Sequence, residues 1–291
     1  MTEQHDGGDA GDGVASARPT SGPDALELPQ VGGPGEVRTG LPVPGRHWRR
    51  GELNRAFRIT GSVVIPTIRF ASGYRWHGPN RLPEEGAFVL APNHYTNIDP
   101  LVVGTTVWLH RRSPRFLAKA SLFHVPVFGK LMSGMGQIPV ERNGRTRLND
   151  PLRGAKGLVS NGGAVIVYPE GTLTRDPDLW PMRGKTGAAR IALENDLPLI
   201  PMAHWGTQRI MARYGKKLRL FPPAKVDVVY GEPIDLSRWR GGPVDQQALT
   251  EVTALLMDRI TALLEGLRGE QAPATRWDPA AAKQKETGKF D

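Results

Sequence analysis

The chain has 291 residues, no cysteine and a formal net charge of +9 at pH 7. The length allows one sizeable core or two small ones, and the absence of cysteine excludes disulfide bonds, thiolate metal sites and a cysteine nucleophile. Residues 1–45 carry a net charge of −5 and the remaining residues therefore carry +14, a balance that favours an anionic partner such as a membrane surface, a phosphate-bearing substrate or nucleic acid.

Residues 1–45 predict a disordered extension. They are rich in Gly, Pro, Ser and Asp and contain almost no large apolar side chains, so burial cannot offset the entropy cost of ordering them. The extension lacks the basic start and the apolar core of a signal peptide, and no run of about 18 apolar residues predicts a transmembrane helix. We therefore expect a protein on the cytoplasmic side of the cell membrane, either peripheral or monotopic.

Residues 46–72 predict a cationic amphipathic helix. Apolar side chains recur at helical spacing at Leu53, Phe57, Val64 and Ile68. Basic side chains occupy a different face at Arg55, Arg58 and Arg69. Pro66 is expected to kink the helix or to split it in two. Such a helix either packs on the core or anchors the protein in a membrane interface, with arginines at anionic headgroups and Trp48 at the boundary; we predict the anchor.

Residues 73–268 predict one α/β domain. Short apolar runs that predict strands lie at 74–77, 87–91, 115–118, 137–140, 164–168, 199–204 and 225–229. Segments with helical periodicity lie at 100–109, 127–132, 151–160, 184–194 and 250–267. This alternation predicts a mostly parallel central sheet flanked by helices, and residues 269–291 predict a flexible tail.

Polar side chains follow three of the predicted strands. His94 follows the strand at 87–91, Arg142 the strand at 137–140, and Glu170 the strand at 164–168. Sites in open α/β sheets form beyond the carboxyl ends of the strands, so these residues predict one site. His94 can take a proton from a hydroxyl at neutral pH. Asp99, five residues further on, can fix the histidine tautomer and stabilise the imidazolium.

Four sequence blocks surround these residues. The first is Asn-His-x-x-x-x-Asp at residues 93–99, the second ends in arginine at 136–142, the third is Tyr-Pro-Glu-Gly-Thr at 168–172, and the fourth is a proline-flanked apolar strand at 197–201. In this order and spacing they resemble the glycerolipid acyltransferase family, which includes the 1-acylglycerol-3-phosphate acyltransferases. The chain departs slightly from the family pattern, with Tyr168 for phenylalanine and with Pro139 inside a strand, which predicts an edge position or a bulge.

The resemblance implies a reaction and a set of roles. It implies acyl transfer from a thioester, acyl-CoA or an acyl carrier protein, to the free hydroxyl of lysophosphatidic acid, without a cofactor or a metal ion. His94 and Asp99 would be the catalytic residues. Residues that would bind the acceptor phosphate are Arg142 and Lys119. Residues that would shape the acceptor pocket are Glu170, Gly171, Thr172 and Arg175. Thr96 is interpreted as a local hydrogen-bond partner rather than a nucleophile.

Three alternatives remain open at the level of sequence. The same chemistry can act on another lysophospholipid or on a glycolipid. A metal-dependent hydrolase can use His94, Asp99 and His204, although no third ligand has a spacing typical of metal sites. A non-catalytic module can bind membranes or nucleic acid through its basic body, but basic residues interleaved with aromatics are too sparse for a nucleic-acid groove. We predict lysophospholipid, acyl thioester and anionic membrane as partners, and no nucleic acid.

Overall fold

A computed structural model describes residues 54–140 and 163–285, together with the backbone of one short strand before them. The strands in this part of the chain are β1 (Arg38–Thr39), β2 (Ser72–His77), β3 (Phe88–Pro92), β4 (Pro114–Lys119), β5 (Ile138–Val140), β6 (Ala164–Ile166), β7 (Leu199–Trp205) and β8 (Ala224–Tyr230). The α-helices there are α1 (Arg55–Ala71), α2 (Asp99–Leu109), α3 (Phe128–Gly134), α4 (Gly187–Glu194) and α5 (Gln246–Arg268).

The strands form one sheet in the order β1-β2-β8-β7-β3-β6-β4-β5. Strands β7, β3, β6, β4 and β5 run parallel to one another. Strand β8 is antiparallel to β7, and β2 is parallel to β8. The prediction of a mostly parallel sheet flanked by helices is confirmed, and each of the seven predicted strands is present. Pro139 lies in β5, the last strand in this order, where its missing N–H breaks no ladder bond to a further strand.

The sheet is buried on both faces, which explains the apolar runs of its central strands. Every residue of β3 is buried. Phe88 and Leu90 pack in the cluster that contains α1 and α2 residues, whereas Val89 and Ala91 pack in the cluster that contains α4 and α5 residues. A parallel strand covered by helices on both sides needs apolar residues at successive positions rather than alternating ones.

Helix α1 is a single helix through Pro66 and is not split in two. It begins after Asn54, whose side chain accepts the backbone N–H of Phe57 at 2.9 Å and caps the helix. Phe57 stacks on Trp108 of α2 with the ring centroids 5.4 Å apart. A Cβ at Gly61 would lie 2.6 Å from the Trp108 ring. The two helices therefore touch closely, and the predicted apolar face of α1 packs on the core.

Several predictions fall on residues outside the described ranges. These are the helix at 151–160, Arg142, Trp48, and the extension at 1–45 apart from the backbone of β1. The first part of the predicted tail is described and contacts the domain, since the carbonyl oxygen of Trp277 accepts the N–H of Arg183 at 2.9 Å. Within the described residues, we find no helix with the length and apolar character needed to cross a bilayer.

Candidate active site

The candidate site lies where β3, β6 and β7 end and α2 begins. Parallel strands end at one edge of a sheet, so the residues that follow β3 and β6 are neighbours in space although they are about 75 residues apart in sequence. His94 follows β3, Asp99 is the first residue of α2, and Glu170 follows β6. We call this the catalytic edge of the sheet.

His94 and Asp99 form a hydrogen-bonded pair. The imidazole Nδ1 lies 3.0 Å from Asp99 Oδ2, and the aspartate side chain is fully buried whereas the histidine side chain is 14% exposed. An ionised carboxylate can only accept, so Nδ1 carries the hydrogen and donates it. This tautomer leaves the lone pair on Nε2 available to a hydroxyl group. The predicted pairing of the two residues is therefore present, with the geometry of a general base and its orienting carboxylate.

Asp99 is held as an anion by several donors at once. The backbone N–H groups of Tyr95 and Thr96 each donate to Oδ2 at 2.8 Å, and the hydroxyls of Thr96 and Thr207 donate to Oδ1. Burial raises the pKa of Asp99, but the facing His204, the His94 hydrogen bond and Thr207 outweigh burial and lower the pKa to about 2. Thr96 is thus a local hydrogen-bond partner, in line with the interpretation from sequence.

Glu170 holds the backbone around His94. Its Oε1 accepts the N–H of His94 at 2.9 Å, and its Oε2 accepts the N–H of Met182 at 3.1 Å. The carbonyl oxygen of His94 in turn accepts the N–H of Thr174 at 2.7 Å. Burial raises the pKa of Glu170 to about 8, although the two N–H bonds act in the opposite direction. Within the described structure the Glu170 carboxyl joins the backbone at His94 to the backbone at Met182. Its predicted role in the acceptor pocket stays a prediction.

A stack of aromatic rings fixes the plane of His94. The Tyr168 ring lies on the imidazole with the centroids 3.9 Å apart and the planes 24° apart. Phe116 lies beyond Tyr168 at 6.4 Å and 12°. The Tyr168 hydroxyl is buried and has no hydrogen-bond partner in the described part of the chain. Burial and the negative charge of Asp99 raise the pKa of Tyr168 well above its usual range, so the ring stays neutral beside the catalytic pair.

Asn93 and His204 join β3 to β7 behind the catalytic pair. The Asn93 side chain donates to the His204 carbonyl oxygen at 3.1 Å and accepts the His204 N–H at 3.0 Å. His204 Nε2 donates to the Asn93 carbonyl oxygen at 3.0 Å. Burial lowers the pKa of His204, although the negative charge of Asp99 acts in the opposite direction. From sequence, His204 was considered only as a metal ligand. Its position at the end of the predicted strand 199–204 was the one signal of a structural role, and the pairing of β7 with β3 is visible only in the structure.

The other predicted site residues are spread along the same edge. Lys119 is exposed at the end of β4, paired in register with Val140 at the end of β5. Gly171 has a positive φ of 69°, a conformation that suits glycine, and the Lys185 side chain packs against it. Thr172 is half-buried and Arg175 is buried. Arg142, which follows β5 in sequence, lies outside the described residues. The roles of these residues toward the acceptor stay predictions.

A metal site does not emerge from the described residues. They contain no group of three or more His, Cys, Asp and Glu side chains arranged to hold a metal ion. His204 Nε2 lies 4.0 Å from Asp99 Oδ2, but this nitrogen carries a hydrogen that it donates to a backbone carbonyl. The three residues of the hydrolase alternative are therefore close together without forming a ligand set.

Comparison with known proteins agrees with this geometry. Residues 73–205 match the family model described as Acyltransferase. The chain is 33% identical over 128 residues to a chloroplastic 1-acyl-sn-glycerol-3-phosphate acyltransferase of Brassica napus, an alignment that spans 43% of this chain and 37% of that protein. It is 28% identical over 209 residues to the 1-acyl-sn-glycerol-3-phosphate acyltransferase of Bacillus subtilis, spanning 71% of this chain and 96% of that protein.

A solved structure shares the fold. The crystal structure of the 1-acyl-sn-glycerophosphate (LPA) acyltransferase PlsC from Thermotoga maritima superposes with a TM-score of 0.52 at 21% identity, covering 76% of this chain and 86% of that chain. Residues 73–205, which match the Acyltransferase family model, contain His94, Asp99 and Glu170. Fold and site together therefore define an acyltransferase domain. The chain contains an acyltransferase domain at residues 73–205 and is similar to the 1-acyl-sn-glycerol-3-phosphate acyltransferases.

The stack on His94 leads to a prediction about stability. Tyr168→Phe keeps the ring on the imidazole and removes a buried hydroxyl without a partner, so we expect the free energy of unfolding to rise by about 1 kcal/mol and the activity to stay near that of the wild type. Tyr95→Phe is the matched control, because its hydroxyl donates to the His204 carbonyl oxygen at 3.2 Å and its loss is expected to destabilise the protein. Urea unfolding measures both; shifts of the same sign would contradict the prediction.

The donors around Asp99 lead to a prediction about pH. The carboxyl has a pKa of about 2 when folded and near 3.9 when unfolded, so it stabilises the protein above pH 4 and this contribution, about 2 kcal/mol, is lost as the pH falls through 4 to 2. We expect the stability difference between the wild type and Asp99→Asn to shrink by that amount between pH 5 and pH 2. Asp196→Asn, at an exposed carboxylate, is the control. A difference that does not change with pH for Asp99→Asn would refute the assignment.

Proposed function

We propose that the chain transfers a fatty acyl group from acyl-CoA or an acyl carrier protein to the free hydroxyl of lysophosphatidic acid, and so forms phosphatidic acid in phospholipid synthesis. The observation that carries this proposal is the His94–Asp99 pair, with Nδ1 committed to the carboxylate and Nε2 left for the substrate. The Brassica napus and Bacillus subtilis relatives described above are named for this activity.

The geometry supports a direct transfer. His94 Nε2 takes the proton of the acceptor hydroxyl while its oxygen attacks the thioester carbonyl carbon, and Asp99 stabilises the imidazolium that forms. When the tetrahedral intermediate collapses, the carbon–sulfur bond breaks and the imidazolium returns the proton to the leaving thiolate. Face-to-face contact with Tyr168 at 3.9 Å also favours the charged imidazole, because an aromatic face attracts a cation.

The catalytic edge also offers cations for the phosphate of the acceptor. Strand β6 lies between β3 and β4, so Lys119 begins about 10 Å from the end of β3, and the end of β5 lies about 14 Å away. A long basic side chain together with a glycerol phosphate can bridge this distance to His94. Arg142 follows β5 by two residues in sequence, and its planar guanidinium suits a phosphate. We therefore propose Lys119 and Arg142 as the phosphate-binding residues.

Helix α1 is proposed to rest on an anionic membrane. Its solvent-facing side carries large apolar side chains at Ile59, Val63 and Phe70, each at least 60% exposed. Beside them lies an exposed basic stripe at Arg55, Arg58 and Arg69. The hydroxyls on this side donate to backbone carbonyl groups of the helix itself, as in the 2.9 Å hydrogen bond from Thr67 to the Val63 carbonyl oxygen. They therefore do not require water as an acceptor. This second apolar face suits an interfacial position on the cytoplasmic side of the membrane.

The reaction is tested by the release of free thiol from palmitoyl-CoA and from a palmitoyl carrier protein, with and without lysophosphatidic acid. We expect release that depends on the acceptor, and we expect His94→Ala to lower it by about 10²-fold or more because the general base is lost. His124→Ala, at an exposed histidine, is the matched control and should remain active. Equal release by the wild type and His94→Ala would rule out the mechanism.

The phosphate site is tested by the choice of acceptor. We expect Arg142→Ala and Lys119→Ala each to raise the KM for lysophosphatidic acid by about tenfold, the value of one charge-assisted hydrogen bond. The slow hydrolysis of the donor thioester without acceptor should not change. Lys130→Ala, at another exposed lysine, is the control. An equal loss with monoacylglycerol, which has no phosphate, would point to a general defect instead of phosphate binding.

A further inference from the structure

A short loop before β8 combines exposed apolar and basic side chains. Leu218 is 51% exposed and Phe221 is 76% exposed. The basic side chains of the loop, also exposed, are Lys216, Lys217 and Arg219. We call residues 216–221 the basic-apolar loop. Isolated apolar residues on a surface are common, but two large ones among three cations in six residues form a compact amphipathic patch.

The loop lies at the catalytic edge. It belongs to the connection between β7 and β8, which begins near Thr207, and the Thr207 hydroxyl donates to Asp99 Oδ1 at 2.6 Å. Because β8 is antiparallel to β7, the connection returns to the sheet at the edge where β7 ends. Ala224, the first residue of β8, pairs with Ser72 directly after α1. The loop, the end of α1 and the His94–Asp99 pair therefore share one edge of the sheet.

The outward position of Leu218 and Phe221 is set by contacts within the connection. The N–H of Arg219 donates to the carbonyl oxygen of Ile210 at 2.8 Å and closes the chain on itself. Leu220 packs against the same core cluster as the buried Ile210. Leu220 is turned inward, and its apolar neighbours Leu218 and Phe221 remain exposed.

Other exposed apolar side chains border the same edge. Phe70, at the end of α1, is 63% exposed and adjoins the exposed Arg69. The segment after β4, beyond Lys119, adds large exposed side chains at Leu122, Val125, Val127 and Phe128. Exposed apolar groups thus flank the catalytic edge on the side of α1 and on the side of β4.

We propose that the basic-apolar loop is a second membrane contact, in which Leu218 and Phe221 enter the interface of an anionic bilayer while Lys216, Lys217 and Arg219 meet its headgroups. The inference deepens the proposed function by assigning the surface that seats the catalytic edge on the lipid. The lysophosphatidic acid acceptor would then reach His94 from the bilayer without crossing water.

Charge and shape favour a bilayer over other partners. The three charged side chains of the loop are all basic, and the chain carries +9 overall, which complements a surface of anionic lipid. The phosphates of a free thioester donor would engage the lysines, but they would leave Phe221 in water. A bilayer interface accepts the apolar and the basic groups together. An acidic carrier protein is a different partner and is treated as an outcome of the test.

The absence of cysteine in this chain allows a direct test. A single cysteine is introduced at Leu218 in the full chain and labelled with an environment-sensitive fluorophore. We expect a blue shift on addition of phosphatidylglycerol vesicles and little change with phosphatidylcholine vesicles. Ser237→Cys is the control, because Ser237 is exposed near the opposite edge, where the N–H of Ile234 bonds to Leu199 at the start of β7. Val63→Cys reports on α1 in the same assay.

Charge removal provides a second, matched comparison. Lys216→Gln with Lys217→Gln removes two positive charges at the catalytic edge, and we expect binding to anionic vesicles to weaken roughly 25-fold, from the usual contribution of each basic residue near a membrane. Arg238→Gln with Arg240→Gln removes the same charge near the opposite edge and should change binding much less. Equal weakening by both pairs would mean attraction by net charge alone, and the loop proposal would fail.

The outcomes separate this proposal from the proposed function, because vesicle binding requires no turnover. A blue shift at 218 in a protein that proves inactive with every acceptor would support the loop and reject the reaction. No shift at 218 while the label at 63 responds would overturn the loop proposal and leave α1 as the membrane contact. A response at 218 to an acidic carrier protein but not to vesicles would overturn it in favour of a protein partner.

Discussion

The buried carboxylate of Asp99 is the group on which the candidate site depends. It accepts hydrogen bonds from two backbone N–H groups, from the hydroxyls of Thr96 and Thr207, and from the catalytic imidazole. An ionised group can remain in an apolar interior only when such donors replace water. The same bonds tie the turn after β3, the start of α2 and the connection after β7 to one point, so that His94 and its surroundings are positioned together.

Much of the domain could be predicted from the sequence because its local signals agree with one another. Both faces of the central strands are covered, so they appear as unbroken apolar runs such as 87–91, and parallel strands bring distant polar residues to one edge. The His94–Asp99 pair could also be predicted, because both residues lie in one short stretch of sequence. The resemblance to a known family then supplied roles that spacing alone does not provide.

Other features depend on contacts that no local pattern encodes. The sequence shows Glu170 beside a strand, but it does not show that both carboxyl oxygens meet backbone N–H groups from residues 76 positions before and 12 positions after it. The stack of Tyr168 on His94 joins two strands that are adjacent only in the folded sheet. In α1, the apolar pattern was interpreted as a membrane anchor, whereas Phe57 and Ile68 of that face are buried. The exposed apolar stripe on the opposite side became visible only when burial could be assigned.

The close contact of α1 with α2 has a mechanical consequence. The Phe57 ring stacks on Trp108, and the missing side chain of Gly61 lets the two helices pack without a gap. The first residue of α2 is Asp99. If the outer side of α1 rests on lipid, a displacement of α1 would press directly on the helix that carries the catalytic carboxylate. If the proposed reaction also holds, lateral pressure and curvature in the bilayer would act on the distance between His94 and the acceptor hydroxyl, and the rate of acyl transfer would depend on the physical state of the membrane.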